Sequence, residues 1–332
     1  MTRNAVQGDT GDLSERVCAG DRRALGRAIT LIESQRPDDR PQAEQLLEAL
    51  LPHRVESIRI GISGVPGVGK STFIEAFGTH AIEQGHRVAV LAVDPSSTLS
   101  GGSILGDKTR METLGRSPDA FIRPSPAGAT LGGVTRYTRE AISVCEAAGY
   151  DVVIVETVGV GQSETAVKEM TDLFLLLLSP SGGDELQGMK KGIVELADIV
   201  LVNKADGAFE TAARHTVSDY RNAIHLLRPA SPNWQVPVES CSALTGAGID
   251  KAWEQVMAYR TALGASGEIT ARREDQSKAW LWSEVSGQLL DALRADPDIV
   301  TLRRKLEEQV ARAEITPAHA ARQLLEGFLG AG

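Results

Sequence analysis

The chain has 332 residues with a formal net charge of −9, and 42% of the residues are hydrophobic. This is typical of a soluble α/β protein with extensions, and the acidic balance argues against a nucleic-acid surface, which needs a basic face. The longest apolar run, residues 173–178, is too short to span a bilayer, so we expect no membrane segment and a cytoplasmic location.

The three cysteines argue against a disulfide framework or a zinc site. Cys18, Cys145 and Cys241 are far apart in the sequence and form no CxxC pair. We therefore expect three reduced, mostly buried thiols.

Amphipathic helices are predicted before the first strand, within residues 12–51. Leu25, Ile29 and Ile32 share one face, and Asp21 fits as an N-cap. We expect these helices to pack against the sheet, and docking of a partner is the alternative.

Residues 64–71, followed by Thr72, match the phosphate-loop pattern GxxxxGK[ST]. Residues 57–63 before them alternate as a strand does, and residues 72–84 after them have helical spacing. Glycines at this place let backbone N–H groups surround a phosphate, while the lysine reaches the β- and γ-phosphates and the serine hydroxyl binds the bridging magnesium ion. The predicted residues are Gly64, Val65, Pro66, Gly67, Val68, Gly69, Lys70, Ser71 and Thr72.

Apolar runs then alternate with helical segments, which predicts a mostly parallel sheet covered on both faces. The further strands are predicted at residues 87–93, 120–123, 151–156, 173–178, 199–203 and 236–239, and helices at 108–114 and 133–148. Asp94 follows the second strand at its carboxyl end, where ligands of open α/β sheets bind, so it is a predicted magnesium residue.

The residues Glu156-Thr157-Val158-Gly159 occupy the place of the DxxG motif of GTPases. In that motif a carboxylate holds magnesium through water and the glycine N–H senses the γ-phosphate. The glutamate at the first position disfavours a GTPase of the Ras or translation-factor type.

Residues 203–206 read Asn-Lys-Ala-Asp and match NKxD, and a Ser-Ala-Leu loop follows at residues 242–244. The aspartate can accept two hydrogen bonds from guanine, whereas adenine offers no such pair of donors. The predicted guanine-binding residues are Asn203, Lys204, Asp206, Ser242, Ala243 and Leu244.

From residue 249 onward the sequence is almost wholly helical. Trp282, Val285 and Leu289 form one apolar stripe, and Thr316 with Pro317 begins a last helix. We expect three parts: an N-terminal helical extension (1–55), the P-loop GTPase domain (56–263) and a C-terminal helical dimerisation arm (264–332). Packing of the C-terminal helices against the nucleotide domain of the same chain is the alternative.

On these motifs the sequence resembles the MeaB/ArgK family of P-loop GTPases, which are chaperones of adenosylcobalamin-dependent methylmalonyl-CoA mutase. The resemblance covers nearly the whole chain and includes the phosphate loop and residues 93–97, 106–111, 156–164 and 183–192. It implies slow GTP hydrolysis to GDP with Mg²⁺, stimulation by the mutase, gating of cofactor loading, and a homodimer joined through the helical tail.

The resemblance also implies individual roles. Asp94 and Glu156 would act at magnesium, Asp107 in hydrolysis, and residues 181–192 as a switch. Within that loop, Lys190 or Lys191 is predicted to couple hydrolysis to partner binding, and the resemblance favours Lys190. Taken together, the predicted catalytic residues are Lys70, Asp107 and Glu156, and the predicted metal residues are Ser71, Asp94 and Glu156.

Two other functions are alternatives. A P-loop kinase would need adenine binding and an acceptor pocket, and NKxD argues against it. A metallochaperone GTPase of the nickel-insertion type should carry a Cys/His cluster, whereas the six histidines are scattered.

Overall fold

Seven parallel strands form the sheet of the computed structural model, which describes residues 3–34, 36, 38–93, 111–124, 131–157, 163–180, 191–227 and 229–330. The strands are β1 Ile58–Gly64, β2 Val88–Val93, β3 Ala120–Arg123, β4 Val152–Thr157, β5 Leu173–Leu178, β6 Ile199–Val202 and β7 Val238–Ser240. Their order is β3-β2-β4-β1-β5-β6-β7, and every neighbouring pair is parallel. The predicted parallel α/β sheet is confirmed.

The central strands are buried on both faces because helices cover both sides of the sheet. Leu173, Leu175 and Leu177 of β5 point into one hydrophobic core, and Phe174 and Leu176 point into the other. This period of two within an unbroken apolar run is what a fully covered parallel strand requires.

Thirteen helices lie in the described part of the chain. They are α1 Arg3–Cys18, α2 Arg22–Ile32, α3 Arg40–Leu50, α4 Lys70–Glu83, α5 Glu112–Arg116, α6 Leu131–Ala147, α7 Ser163–Lys168, α8 Lys191–Leu196, α9 Glu210–His225, α10 Ile249–Ala265, α11 Glu268–Ala295, α12 Pro297–Ala311 and α13 Pro317–Gly330. Helices α4, α5 and α10 cover one face of the sheet, and α6 to α9 cover the other. No helix of the described residues is both long and apolar enough to cross a membrane.

The N-terminal helices pack on α6 and on one another, and their apolar residues are continuous with the core on that face. The Asp21 carboxylate caps α2 as predicted, accepting from the N–H groups of Arg23 at 2.8 Å and Ala24 at 3.2 Å. Leu25 and Ile29 are fully buried. The first helix begins at Arg3, well before the predicted helical region.

The chain divides into two compact units, Met1–Thr270 and Ala271–Gly332. In the second unit α12 and α13 pack on each other, and Ile299, Leu306 and Ala320 are buried. The predicted cap of α13 is present, because the Thr316 hydroxyl oxygen accepts from the N–H of His319 at 3.2 Å.

Candidate nucleotide site

The phosphate loop connects the carboxyl end of β1 to the first residue of α4, Lys70. Gly67 and Gly69 have φ values of 81° and 95°, which L side chains rarely adopt. A Cβ on Gly69 would also lie 2.8 Å from Nδ2 of Asn203, and one on Gly64 would lie 2.5 Å from the carbonyl oxygen of Leu177. Glycine at positions 64 and 69 therefore allows neighbouring elements to approach the loop closely.

The Lys70 side chain folds back over this loop. Its Nζ donates to the carbonyl oxygen of Gly64 at 2.7 Å. Burial lowers the pKa of Lys70, and the negative charges of Glu156 and Glu164 oppose this shift. The site thus holds a partly desolvated ammonium group whose hydrogen-bond acceptor is a neutral carbonyl, and a phosphate could supply the anionic partner.

Ser71 and Glu156 lie next to each other at the carboxyl ends of the central strands β1 and β4. The register pairs Glu156 with Ile62 on β1, and its carboxylate accepts from the Ser71 hydroxyl at 3.4 Å. Glu156 is only 5% exposed. A hydroxyl oxygen and a carboxylate oxygen at this separation fit the oxygen ligands that Mg²⁺ prefers, bound directly or through water. The donor set of these two predicted metal residues therefore fits the proposed ion.

The carboxyl end of β6 brings Asn203 against the phosphate loop. Asn203 is 1% exposed, and its Nδ2 donates to the carbonyl oxygen of Val68 at 2.9 Å. Its Oδ1 accepts from the N–H of Ala243 at 3.0 Å. Lys204, with a φ of 61°, donates from Nζ to the carbonyl oxygen of Gly67 at 2.6 Å. The NKxD segment is thus bonded directly to the phosphate loop, and the Ser-Ala-Leu loop is bonded to Asn203 of that segment.

Asp206 and Ser242 form the next contact of this site. The Ser242 hydroxyl donates to Oδ2 of Asp206, and the N–H of Thr245 donates to the same hydroxyl oxygen at 3.2 Å. Ser242 is fully buried, whereas Leu244 is 81% exposed. The serine therefore orients the carboxylate that the sequence predicts to read guanine, while the leucine side chain lies at the surface.

Some predicted residues lie outside the described part of the chain. These are Asp94, Asp107 and Lys190, and of Lys191 only the backbone is described, as the first residue of α8. Thr72 is exposed in the first turn of α4. Their roles stay predictions.

Glu164 has no predicted role, yet this residue is 5% exposed and its negative charge raises the pKa of Lys70 against the effect of burial. It lies in the first turn of α7, directly after the segment that follows Glu156. The sequence feature that could have pointed to Glu164 is an acidic residue at the start of the helix after β4. Among the described residues no group of three or more His, Cys, Asp or Glu side chains is placed to hold a metal ion.

The comparison with known families decides where the chain belongs. The family model described as "Methylmalonyl Co-A mutase-associated GTPase MeaB" matches residues 25–298. The chain belongs to the MeaB family. GTP hydrolysis and the P-loop GTPase fold are therefore supported at the level of the family, and the predicted resemblance is confirmed.

Individual relatives match nearly the whole of this chain. A putative GTPase of Caulobacter vibrioides is 55% identical over 320 residues, which cover 96% of this chain and 98% of the relative. The mouse protein named "Methylmalonic aciduria type A homolog, mitochondrial" is 47% identical over 93% of this chain and 77% of its own. A solved structure named "LAO/AO transport system kinase" is similar with a TM-score of 0.76 and 39% identity, covering 97% of this chain and 98% of that one.

Proposed function

We propose that this MeaB-family protein hydrolyses GTP to GDP and phosphate with Mg²⁺, and that it acts as a chaperone of an adenosylcobalamin-dependent acyl-CoA mutase. The observation that carries the GTPase part is the bond between Asn203 and the carbonyl of Val68. It joins the segment proposed to read the base to the loop proposed to hold the phosphates. A single nucleotide, which carries both a base and phosphates, can therefore contact both segments at once.

The proposed chemistry assigns one task to each described residue. Lys70 would bind the β- and γ-phosphates, and Ser71 with Glu156 would hold the magnesium ion. Asp94, which lies outside the described residues, is the third proposed metal residue. The bound Mg²⁺ would neutralise charge that develops on the phosphates. Asp206, oriented by Ser242, accepts from guanine.

Titration calorimetry of Lys70→Ala with GTP tests this site. We expect GTP affinity to fall by about a hundredfold or more, because a charge-assisted contact to phosphate is lost from a partly buried site. Lys251→Ala on α10 is the matched control, since that lysine is exposed and is not among the predicted nucleotide-binding residues. Unchanged affinity in the Lys70 variant would refute the assignment.

We further propose methylmalonyl-CoA mutase as the partner, supported by the description of the family model. Residues 181–192 are the proposed coupling segment. Lys190→Ala should leave intrinsic hydrolysis and GTP affinity nearly unchanged and should reduce stimulation by the mutase, with Lys191→Ala as the comparison. If stimulation survives in both variants, the segment is not the coupler.

A homodimer through the C-terminal helices is the third part of the proposal. Leu281, Trp282, Val285 and Leu289 share one face of α11, and Trp282 is 70% exposed. An apolar stripe of this kind favours burial against another chain. Sedimentation at micromolar concentration should give a dimer, Leu289→Glu should give a monomer, and Ser283→Glu on the opposite face should leave the dimer intact. A monomeric full-length protein would refute this part.

The kinase alternative receives support only from the name of one similar structure. A preference for ATP over GTP, together with phosphate transfer to a protein or small molecule, would favour it over the GTPase.

A further inference from the structure

A buried pair of hydroxyl groups joins the carboxyl ends of β1 and β4. The Thr157 hydroxyl donates to Oγ of Ser63 at 2.9 Å, and the carbonyl oxygen of Ile62 is a more distant neighbour at 3.5 Å. Ser63 and Thr157 are both fully buried. Thr157 directly follows Glu156, and Ser63 directly precedes Gly64, where the phosphate loop begins. The bond therefore joins the strand that carries Glu156 to the strand that carries the phosphate loop.

This bond continues the contact between β1 and β4 beyond their backbone ladder. The last pair of that ladder is Ile62 with Glu156. On their other sides, β1 stays paired with β5 as far as Gly64, and β4 stays paired with β2 as far as Thr157. At the position that follows the last ladder pair, the side chains of Ser63 and Thr157 hold the two strands together.

The chain segments that follow β1 and β4 turn to opposite faces of the sheet. β1 continues through the phosphate loop into α4 on one face, and β4 is followed by α7 on the other face. Such a change of side opens a crevice between two neighbouring parallel strands, and ligands of open α/β sheets bind in that crevice. The bond between Ser63 and Thr157 lies at the base of the crevice that contains the candidate site.

The spacing of two candidate metal residues depends on this crevice. Ser71 is attached to β1 through the phosphate loop and the start of α4, whereas Glu156 belongs to β4. Their side-chain oxygens are 3.4 Å apart. By the alternation of side chains along a strand, the hydroxyl pair points to the face opposite Glu156. The pair therefore fixes the backbone of both strands without occupying the metal site.

Packing alone does not require hydroxyl groups at these two positions. When both partners of a buried hydrogen bond are replaced by apolar groups of the same shape, the effect on stability can be nearly neutral. Mg²⁺, by contrast, demands near-ideal octahedral geometry, so its affinity depends on the separation of its ligands. A hydrogen bond between the two strands that carry the ligands meets this second requirement.

We propose that Ser63 and Thr157 are positioning residues for Mg²⁺, and that the bond between their hydroxyl groups sets the separation of Ser71 and Glu156. This inference rests on the proposed function, because it requires a guanine nucleotide that binds together with Mg²⁺. The two hydroxyl groups act through the backbone, and the metal ligands remain those already proposed.

The metal affinity of the full-length protein with bound GDP tests the proposal. A fluorescent GDP analogue reports the binding of Mg²⁺ and, in a separate titration, of Ca²⁺, whose coordination geometry is flexible. Thr157→Val keeps the shape of the side chain and removes the hydroxyl, so it should raise the dissociation constant of Mg²⁺ about tenfold or more. The dissociation constant of Ca²⁺ should rise at most about twofold. General destabilisation would affect both metals alike, so the ratio of the two constants identifies positioning.

Three further variants make the test independent of a single substitution. Ser63→Ala should give the same loss of Mg²⁺ affinity. The double variant Ser63→Ala/Thr157→Val should lose no more affinity than either single variant, because the same bond is absent from all three. Thr157→Ser keeps the hydroxyl and should restore the affinity for Mg²⁺.

The matched control is Thr171→Val. Thr171 is also fully buried and its hydroxyl donates to the carbonyl oxygen of Val167 at 2.8 Å, but it lies just before the amino end of β5. This variant should keep the wild-type affinities for both metals. Unchanged Mg²⁺ affinity in Thr157→Val and Ser63→Ala, an equal loss for Ca²⁺, or an equal loss in Thr171→Val would overturn the inference. A wild type that binds no GDP, or no Mg²⁺ together with GDP, would instead refute the proposed function and the inference with it.

Discussion

Replacement of Gly69 by alanine tests how the phosphate loop is built. The backbone there has φ 95°, and a non-glycine residue in the left-handed region costs about 1–2 kcal/mol. The new Cβ would lie 2.8 Å from Nδ2 of Asn203, which is buried and bonded to Val68. Displacing that amide leaves buried groups without their hydrogen bonds, at about 1–3 kcal/mol. Gly69→Ala should therefore lower the free energy of unfolding by about 2–5 kcal/mol, the sum of the two terms.

Gly67→Ala separates the cost of the left-handed backbone from the cost of the lost hydrogen bonds. Gly67 has a similar φ of 81°, but a Cβ there meets nothing within 4 Å. Urea unfolding of the nucleotide-free protein should therefore show a loss of only about 1–2 kcal/mol for Gly67→Ala. In a double-mutant cycle with Asn203→Ala, Gly69→Ala should become about as mild as Gly67→Ala. Equal losses for the two glycine variants in the wild-type background would refute the role assigned to Asn203.

Three further predictions concern individual side chains. Asp206→Asn should shift nucleotide preference from GTP toward XTP, because an amide donates where the carboxylate accepted, and a competition assay that still favours GTP would contradict this. The side-chain hydrogen bond from Arg16 and the N–H groups of α2 hold the pKa of Asp21 below its usual value. Asp21 therefore stabilises the fold at pH values above its pKa in the unfolded chain, and this effect is lost as the pH falls below about 4. The difference in free energy of unfolding between the wild type and Asp21→Asn should therefore shrink in acid. Burial raises the pKa of Cys241 to about 12. Iodoacetamide should therefore modify the half-buried Cys18 first, as measured by mass spectrometry. Rapid modification of Cys241 in the folded protein would contradict its burial.

Local pattern was enough to predict the sheet and the place of the site. The run at 173–178 is apolar at every position, so burial on both faces and a parallel sheet followed directly. The caps at Asp21 and Thr316 were also predictable, because an N-cap needs only a side-chain oxygen and the next few N–H groups.

Features that depend on distant parts of the chain could not be predicted. Helix α1 has a polar composition with little amphipathic pattern, and its formation depends on Leu13 and Val17 packing in the core. The bonds from Asn203 to Val68 and from Thr157 to Ser63 need the register of the sheet, which no local pattern specifies. The exposure of Leu244 likewise depends on the tertiary position of its loop.

The support that Asn203 gives to the phosphate loop has a consequence for synthesis of the protein. The two bonded residues, Val68 and Asn203, are 135 positions apart, and the strands that flank β1 also come late in the chain. At about 5–20 residues per second the ribosome needs on the order of ten seconds to bridge that interval. During this time the nascent chain carries the whole phosphate-loop sequence without the strand that braces it. A ligand that contacts both bonded segments can therefore stabilise only a chain that has been made at least as far as Asn203, directly after β6.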